Sequence, residues 1–147
     1  MAILNQKIDF AVVFSVTKAN PNGDPLNGNR PRQNYDGYGE VSDVALKRKI
    51  RNRLLDMGEP IFVQSKDKNI DGFNSLKERA EANKELMDAQ SSKENTSKRF
   101  TEAACRAWID VRSFGQVFAF KGSKNKGVSI GIRGPVTIQT ATSVDPI

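Results

Sequence analysis

The 147-residue sequence contains no histidine and a single cysteine, Cys105, and these two shortages remove most catalytic chemistry at the outset. Without histidine the chain cannot build Ser-His or Cys-His pairs or imidazole metal sites. One thiol can form neither an internal disulfide nor a thiolate zinc site, a cysteine usage that suits the cytoplasm. No apolar run approaches the roughly 18 residues needed to span a bilayer. The stretch Phe10 to Val16 lacks a charged leader and a small-residue cleavage site, so neither a signal peptide nor a membrane partner is expected. Phosphate-loop spelling is missing, and Gly131-Ile132-Arg133-Gly134 is not a dinucleotide fingerprint. The Asn/Asp-rich stretch that follows Asn20 lacks calcium-loop spacing and its distal Glu. Asp24, Asp36, Asp43, Asp110 and Asp145 form no paired-carboxylate pattern. The expectation is a protein with no catalytic residue, no metal ligand and no cofactor. A Mg²⁺-dependent nuclease is the enzyme reading that stays open.

What is present is positive charge. Twenty-three Lys and Arg against 17 Asp and Glu give a net charge of +6 and a pI near 9.6, which makes a polyanion the leading partner. A 37% hydrophobic share and a mean hydropathy of -0.54 fit one water-exposed domain with some polar segments.

Hydrophobic patterning predicts mixed α+β structure with a largely antiparallel sheet. Ile8 to Thr17 reads as a central strand, rich in β-branched and aromatic residues, that stops at the Pro and Gly residues beginning with Asn20-Pro21. Ser42 or Asp43 would cap a helix from Val44 to Met57, with Leu46, Ile50, Leu54 and Met57 as its buried stripe. Ile61 to Val63 looks like a short strand. Residues 65–97 read as a polar insertion, exposed or mobile, with one weak helix from about Asn74 to Ala89 and a linker at Ser91 to Asn95. A helix follows from about Ser97 to Trp108. Strands are predicted at Gly115 to Phe120, Val128 to Ile132 and Val136 to Ala141, with a basic turn at Lys121 to Gly127 and no closing element at Asp145-Pro146-Ile147.

Three stretches could grip a polyanion. The helix carries Lys47, Arg48, Lys49, Arg51 and Arg53 with no acid among them; Lys47, Arg48 and Arg51 share an arc beside the apolar stripe. That arc is either a phosphate track or a solvated face. The loop Asn20 to Arg32 offers Asn20, Asn22, Gly23, Asn27 and Asn29, which tolerate left-handed backbone and can aim amides at phosphate, together with Arg30 and Arg32. As a plain surface loop it would need no ligand; lying between the strand and the basic helix, it would share one ligand with the helix start. Arg112, Ser113, Phe114 and Gln116 around Gly115 suit sugar–phosphate contact and base stacking, or else a helix-to-strand joint with Phe114 in the core.

These stretches, in order and spelling, resemble the backbone subunit of type I-C CRISPR Cascade complexes. The likeness rests on Asn20-Pro21-Asn22-Gly23-Asp24-Pro25, Gly28 to Arg32, Ser42 to Asn52, Asp110 to Phe118 and Ser129 to Val136. The resemblance implies an RRM-like (ferredoxin-like) palm with helical insertions, of which this chain would be an N-terminal portion, the palm being incomplete at its C-terminal end. It further implies copies of the protein coating a CRISPR guide RNA, contacts with other Cascade subunits, and target DNA reached through the guide. The three stretches would lie along the guide backbone, and cutting would belong to another protein. Related RAMP-type proteins process precursor RNA, so a metal-dependent RNA-processing endonuclease is the alternative. The sequence departs from ordinary RRM sheets in having no aromatic RNP signature, so exposed sheet aromatics are not expected to bind RNA. Unpaired strand edges in an incomplete palm would favour a homodimer or strand exchange.

Overall fold

A computed structural model describes residues 4–92, 94–120 and 128–147, and shows an α+β chain divided into two compact units. The basic turn expected at Lys121 to Gly127 lies outside the described residues, as does Lys93 of the expected linker.

The first unit comprises residues up to Val41 together with Thr142–Ile147. Its regular structure is β1 (Gly23–Asp24), a 3-10 turn at Pro25–Asn27, β2 (Arg30–Pro31), β3 (Tyr38–Val41) and most of β6 (Ala141–Pro146). β1 and β2 pair antiparallel, so regular pairing does form within the Pro/Gly-rich loop. β6 pairs with β3, a closing element that the sequence reading lacked. Gly39 N–H donates to Ser143 Oγ at 2.9 Å, and Ile147 N–H donates to the Gly37 carbonyl at 3.1 Å.

The strand expected at Ile8 to Thr17 is absent. The segment has no regular structure among the described residues, and Phe10 is 61%, Val12 71% and Val13 93% exposed. Strand preference is a preference for a half-buried pleated surface, and among the described residues this segment pairs with no strand.

The second unit, Ser42–Ala141, holds α1 (Asp43–Asp56), a 3-10 turn at Lys66–Lys68, α2 (Leu76–Glu81), α3 (Lys84–Ser91), α4 (Thr96–Ala107), α5 (Ile109–Phe114), β4 (Gly115–Phe120) and β5 (Val128–Arg133). Ser42 caps α1, its Oγ accepting from Ala45 N–H. The single helix expected from Asn74 to Ala89 is two, because Asn83 breaks it and caps α3 by accepting from Leu86 N–H at 3.0 Å. Leu86 and Ala89 of α3 meet Phe100, Ala103 and Ala104 of α4 in one core with Phe62, Trp108, Val111, Phe118, Ile130 and Ile132. Alanines on α4 let the neighbouring helix approach closely. Phe62 lies 4.6 Å from Trp108 and 4.9 Å from Phe118, ring centroid to centroid, and Phe100 meets Phe118 edge-on at 5.1 Å.

β4 and β5 pair antiparallel with Phe118 opposite Ile130 and Gln116 opposite Ile132. Alternation then sends Phe118, Ile130 and Ile132 inward and Val117, Ser129 and Arg133 outward. The strand expected at Val136 to Ala141 is absent; alternating exposure survives there, but the ladder begins only at β6. α1 also differs from expectation. Leu55 is its buried residue, while Ile50 and Met57 of the expected stripe are 37% and 64% exposed. Beside Leu55, α1 also turns Arg48 and Arg51 inward, for reasons that lie in residues 61–63 and Asp110.

Candidate nucleic-acid interface

Ile61 and Phe62 are buried, yet residues 61–63 form no strand. Charged side chains from three helices take the places a neighbouring strand would fill. Asp110 of α5 accepts from Phe62 N–H at 2.7 Å and Val63 N–H at 3.0 Å. Arg79 of α2 donates to the Phe62 carbonyl at 2.9 Å, and Arg48 of α1 donates to the Val63 carbonyl at 2.7 Å. Backbone groups at this depth need partners, and here the partners are ionic. The short apolar run therefore reads as strand in the sequence and is satisfied otherwise in the fold.

Asp110 has a third partner. Its side chain is 1% exposed, and it accepts from Arg51 Nε at 3.0 Å. Arg51 thereby lies over the Phe114 ring, 5.1 Å from its centroid, with Lys47 Nζ 6.0 Å from the same centroid. Lys47 is held in turn by Asp43 one turn earlier, at 3.0 Å. That hydrogen bond is the main reason the Asp43 carboxyl sits below its ordinary range. Burial, followed by the neighbouring Arg51 charge, lowers the Arg48 guanidinium from its usual value, with Asp110 opposing.

The ring beneath these cations is fixed by two glycines. Gly115, at φ +78, ends α5, and a β-carbon there would strike the Ile132 carbonyl. A β-carbon on Gly134 would strike the Ser113 carbonyl. Backbones this close tolerate only glycine. Val136 N–H donates to the same Ser113 carbonyl at 2.9 Å.

Two of the three stretches singled out in the sequence thus converge: Lys47 and Arg51 from one, Phe114 from the other. Arg51 spends Nε on Asp110, and its Nη groups carry no hydrogen bond among the described residues. A half-buried aromatic ring with two cations over it can stack a planar base and pair a phosphate oxygen. Arg48 is committed to Val63. Arg112 is exposed, and Gln116 donates to the Val117 carbonyl at 3.1 Å. Lys49 and Arg53, outside the expected arc, are exposed and make no ion pair among the described residues.

The Asn20 to Arg32 stretch is a self-bonded hairpin. Asn20 Nδ2 donates to the Asn29 carbonyl at 2.7 Å, Asn29 N–H to the Asp24 carbonyl at 2.8 Å, and Arg32 N–H to the Asn22 carbonyl at 2.9 Å. Gly28 and Asn29 adopt left-handed backbone at φ 59 and 56, as asparagine and glycine permit. Gly23 lies against the Asn29 side chain, Asn27 ends the 3-10 turn, and Arg32 faces Glu40 at 3.5 Å. Arg30 on β2 is exposed and makes no ion pair among the described residues.

Sequence reasoning missed Asp110, whose signal was a lone charge inside the apolar run Trp108-Ile109-Asp110-Val111. It also passed over Asp67-Lys68-Asn69-Ile70-Asp71-Gly72 with Glu78 at the twelfth position, which does match calcium-loop spelling. The fold uses these residues differently. Arg79 grips Asp71 through two bonds of 2.6 and 2.7 Å, and Glu78 accepts from Asn74 N–H at 2.8 Å. Among the described residues no group of three or more acids or cysteines could hold a metal ion. No helix among them is long and apolar enough to cross a membrane.

The fold and this site define an α+β protein that carries a cation-over-aromatic surface. Residues 6–147 match the family model described as CRISPR-associated protein Cas7, so the chain belongs to that family. It is similar to a CRISPR-associated protein Cas7 of Haloferax volcanii, with 28% identity over 159 aligned residues covering 100% of this chain and 45% of that relative. The chain therefore spans about half the length of the curated relative it matches.

Proposed function

We propose that this chain binds CRISPR guide RNA without base specificity, as the repeated backbone subunit of a type I-C Cascade complex in the cytoplasm. The observation that carries this reading is the pair Lys47 and Arg51 over Phe114, held by Asp43 and Asp110. Family membership supports it. On this reading the α+β chain forms part of an RRM-like palm, and copies associate along one guide, a homodimer being the smallest such assembly. Other Cascade subunits complete the complex, and target DNA is engaged by pairing with the guide. The chain itself performs no catalysis.

Affinity for single-stranded RNA should fall with salt at roughly 0.7 log units per phosphate contact per decade of salt, and should vary little with base sequence. Phe114→Ala should remove about 1–3 kcal/mol of binding while leaving the salt slope unchanged, because stacking carries no counterion release. Lys47→Ala should lower the slope by about 0.7. Unchanged affinity in both variants would exclude this surface. Specific cleavage of repeat RNA that requires Mg²⁺ and an acidic side chain would favour the nuclease alternative.

A further inference from the structure

We infer that Asp110 is a positioning residue of the RNA site, a carboxylate that never touches RNA yet sets where Arg51 stands; this rests on the RNA-binding reading above. Its geometry admits little else. The side chain is 1% exposed, so RNA cannot reach it and water cannot compete for it. Oδ1 accepts from Phe62 N–H at 2.7 Å, while Oδ2 accepts from both Val63 N–H at 3.0 Å and Arg51 Nε at 3.0 Å. Two of these donors are backbone amides, which fix the carboxylate plane, and the third is the guanidinium of Arg51. The carboxylate therefore transmits the placement of the 61–63 segment to α1.

The effect reaches Phe114 from both sides. Asp110 and Phe114 are one turn apart in α5, and Arg51 bonded to the first lies 5.1 Å from the ring of the second. A guanidinium engaged through Nε is held by its plane, and its Nη groups carry no hydrogen bond among the described residues. Arg48, whose Nη1 binds the Val63 carbonyl at 2.7 Å, adds a second tie from α1 to the same segment. Arg51 is thus placed by an acid that a count of charges would score as opposing RNA.

This conflict of sign gives the test. Asp110→Asn adds one unit of net positive charge, so a purely electrostatic account predicts tighter RNA binding and a steeper salt dependence. Positioning predicts the reverse: affinity falls about tenfold, and the slope of log affinity against log salt becomes shallower by about 0.7. RNA affinity would be measured by titrating a fluorescent single-stranded RNA across salt concentrations, with far-UV circular dichroism reporting that each variant is folded. Arg51→Ala should show the same loss, and combining it with Asp110→Asn should cost little more than either change alone.

Arg51→Lys guards against a folding defect, because it leaves both backbone amides on Asp110 and keeps the positive charge. It should lose affinity as Arg51→Ala does, since an ammonium cannot reproduce the fork. Tighter binding by Asp110→Asn, additive losses in the double variant, or full affinity in Arg51→Lys would each overturn the assignment. A wild-type chain that binds RNA while the variants match it overturns the positioning role alone. A wild-type chain that binds no RNA at low salt overturns the RNA-binding reading as well.

Discussion

Ile8 to Val16 and the pair β4–β5 are spelled alike, in valine, isoleucine and phenylalanine, and fold to opposite ends. In the pair, Phe118 is 1%, Ile130 5% and Ile132 7% exposed; in the earlier run, Val13 is 93% exposed and Phe10 61%. The difference lies in the neighbours, because β4 has β5 for its backbone and α4 for its inner face. Hydrophobic spelling states a demand for burial, and only a partner element meets it. Residues 61–63 fall between the two cases, with Ile61 and Phe62 buried as Phe118 is, but supplied with charged side chains in place of a strand.

Breaking this comparison begins in the core. Phe118→Ala should cost about 3–5 kcal/mol in urea denaturation, as expected for a fully buried aromatic. Val13→Ala should change stability by no more than about 0.5 kcal/mol. Equal costs would mean that the earlier run is covered in solution and that the contrast is false. Next, Arg48→Met keeps an apolar stem but leaves the Val63 carbonyl without its donor, and should cost about 1–3 kcal/mol. If it costs nothing, the Arg48 bond to the Val63 carbonyl contributes no stability.

A smaller effect is expected from Asp71, whose carboxyl Arg79 holds below its ordinary range, chiefly through their hydrogen bonds. A depressed carboxylate stabilises the fold above its unfolded value of about 3.9, and this contribution is lost as pH falls through the lower folded value. The stability gap between wild type and Asp71→Asn should therefore be constant from about pH 7 to pH 5 and should shrink below about pH 4. A gap that stays constant at acid pH would show that the pair is not formed. The smallest effect concerns Cys105, packed beside the core, whose thiol is pushed up by burial against the opposing charge of Arg112. Its alkylation should reach half-maximal rate above about pH 8.5, and Arg112→Ala should move that midpoint higher still. A midpoint at or below the free-cysteine value would mean that the core side is more open than β4–β5 implies.

Much of the second unit was legible. Ser42 marked the start of α1, the alanine spacing around Phe100 marked α4, and the alternation at Gly115 to Phe120 and Val128 to Ile132 marked β4 and β5. Features that depend on long-range partners were not legible. The break at Asn83 is a local cap that competes with a weak periodic signal. The inward turn of Arg51 on α1 depends on Asp110, 59 residues away along the chain. Of the site, the Lys47–Arg51 arc and Phe114 were read as separate stretches because nothing in their spacing announces that the middle of α1 meets the end of α5. The hairpin at Asn20 to Arg32 showed a different limit, since the residues that suit ligand contact equally suit bonding to one another.

Trp108 is the one tryptophan in the chain, seated against Phe62 and two residues from Asp110. Its indole is therefore a built-in optical probe at the joint between the aromatic core and the anchor of α1. Emission that shifts to the red during denaturation would follow the core, with no competing indole in the second unit. A change in its lifetime on mixing with an unlabelled oligonucleotide would report directly on the anchor.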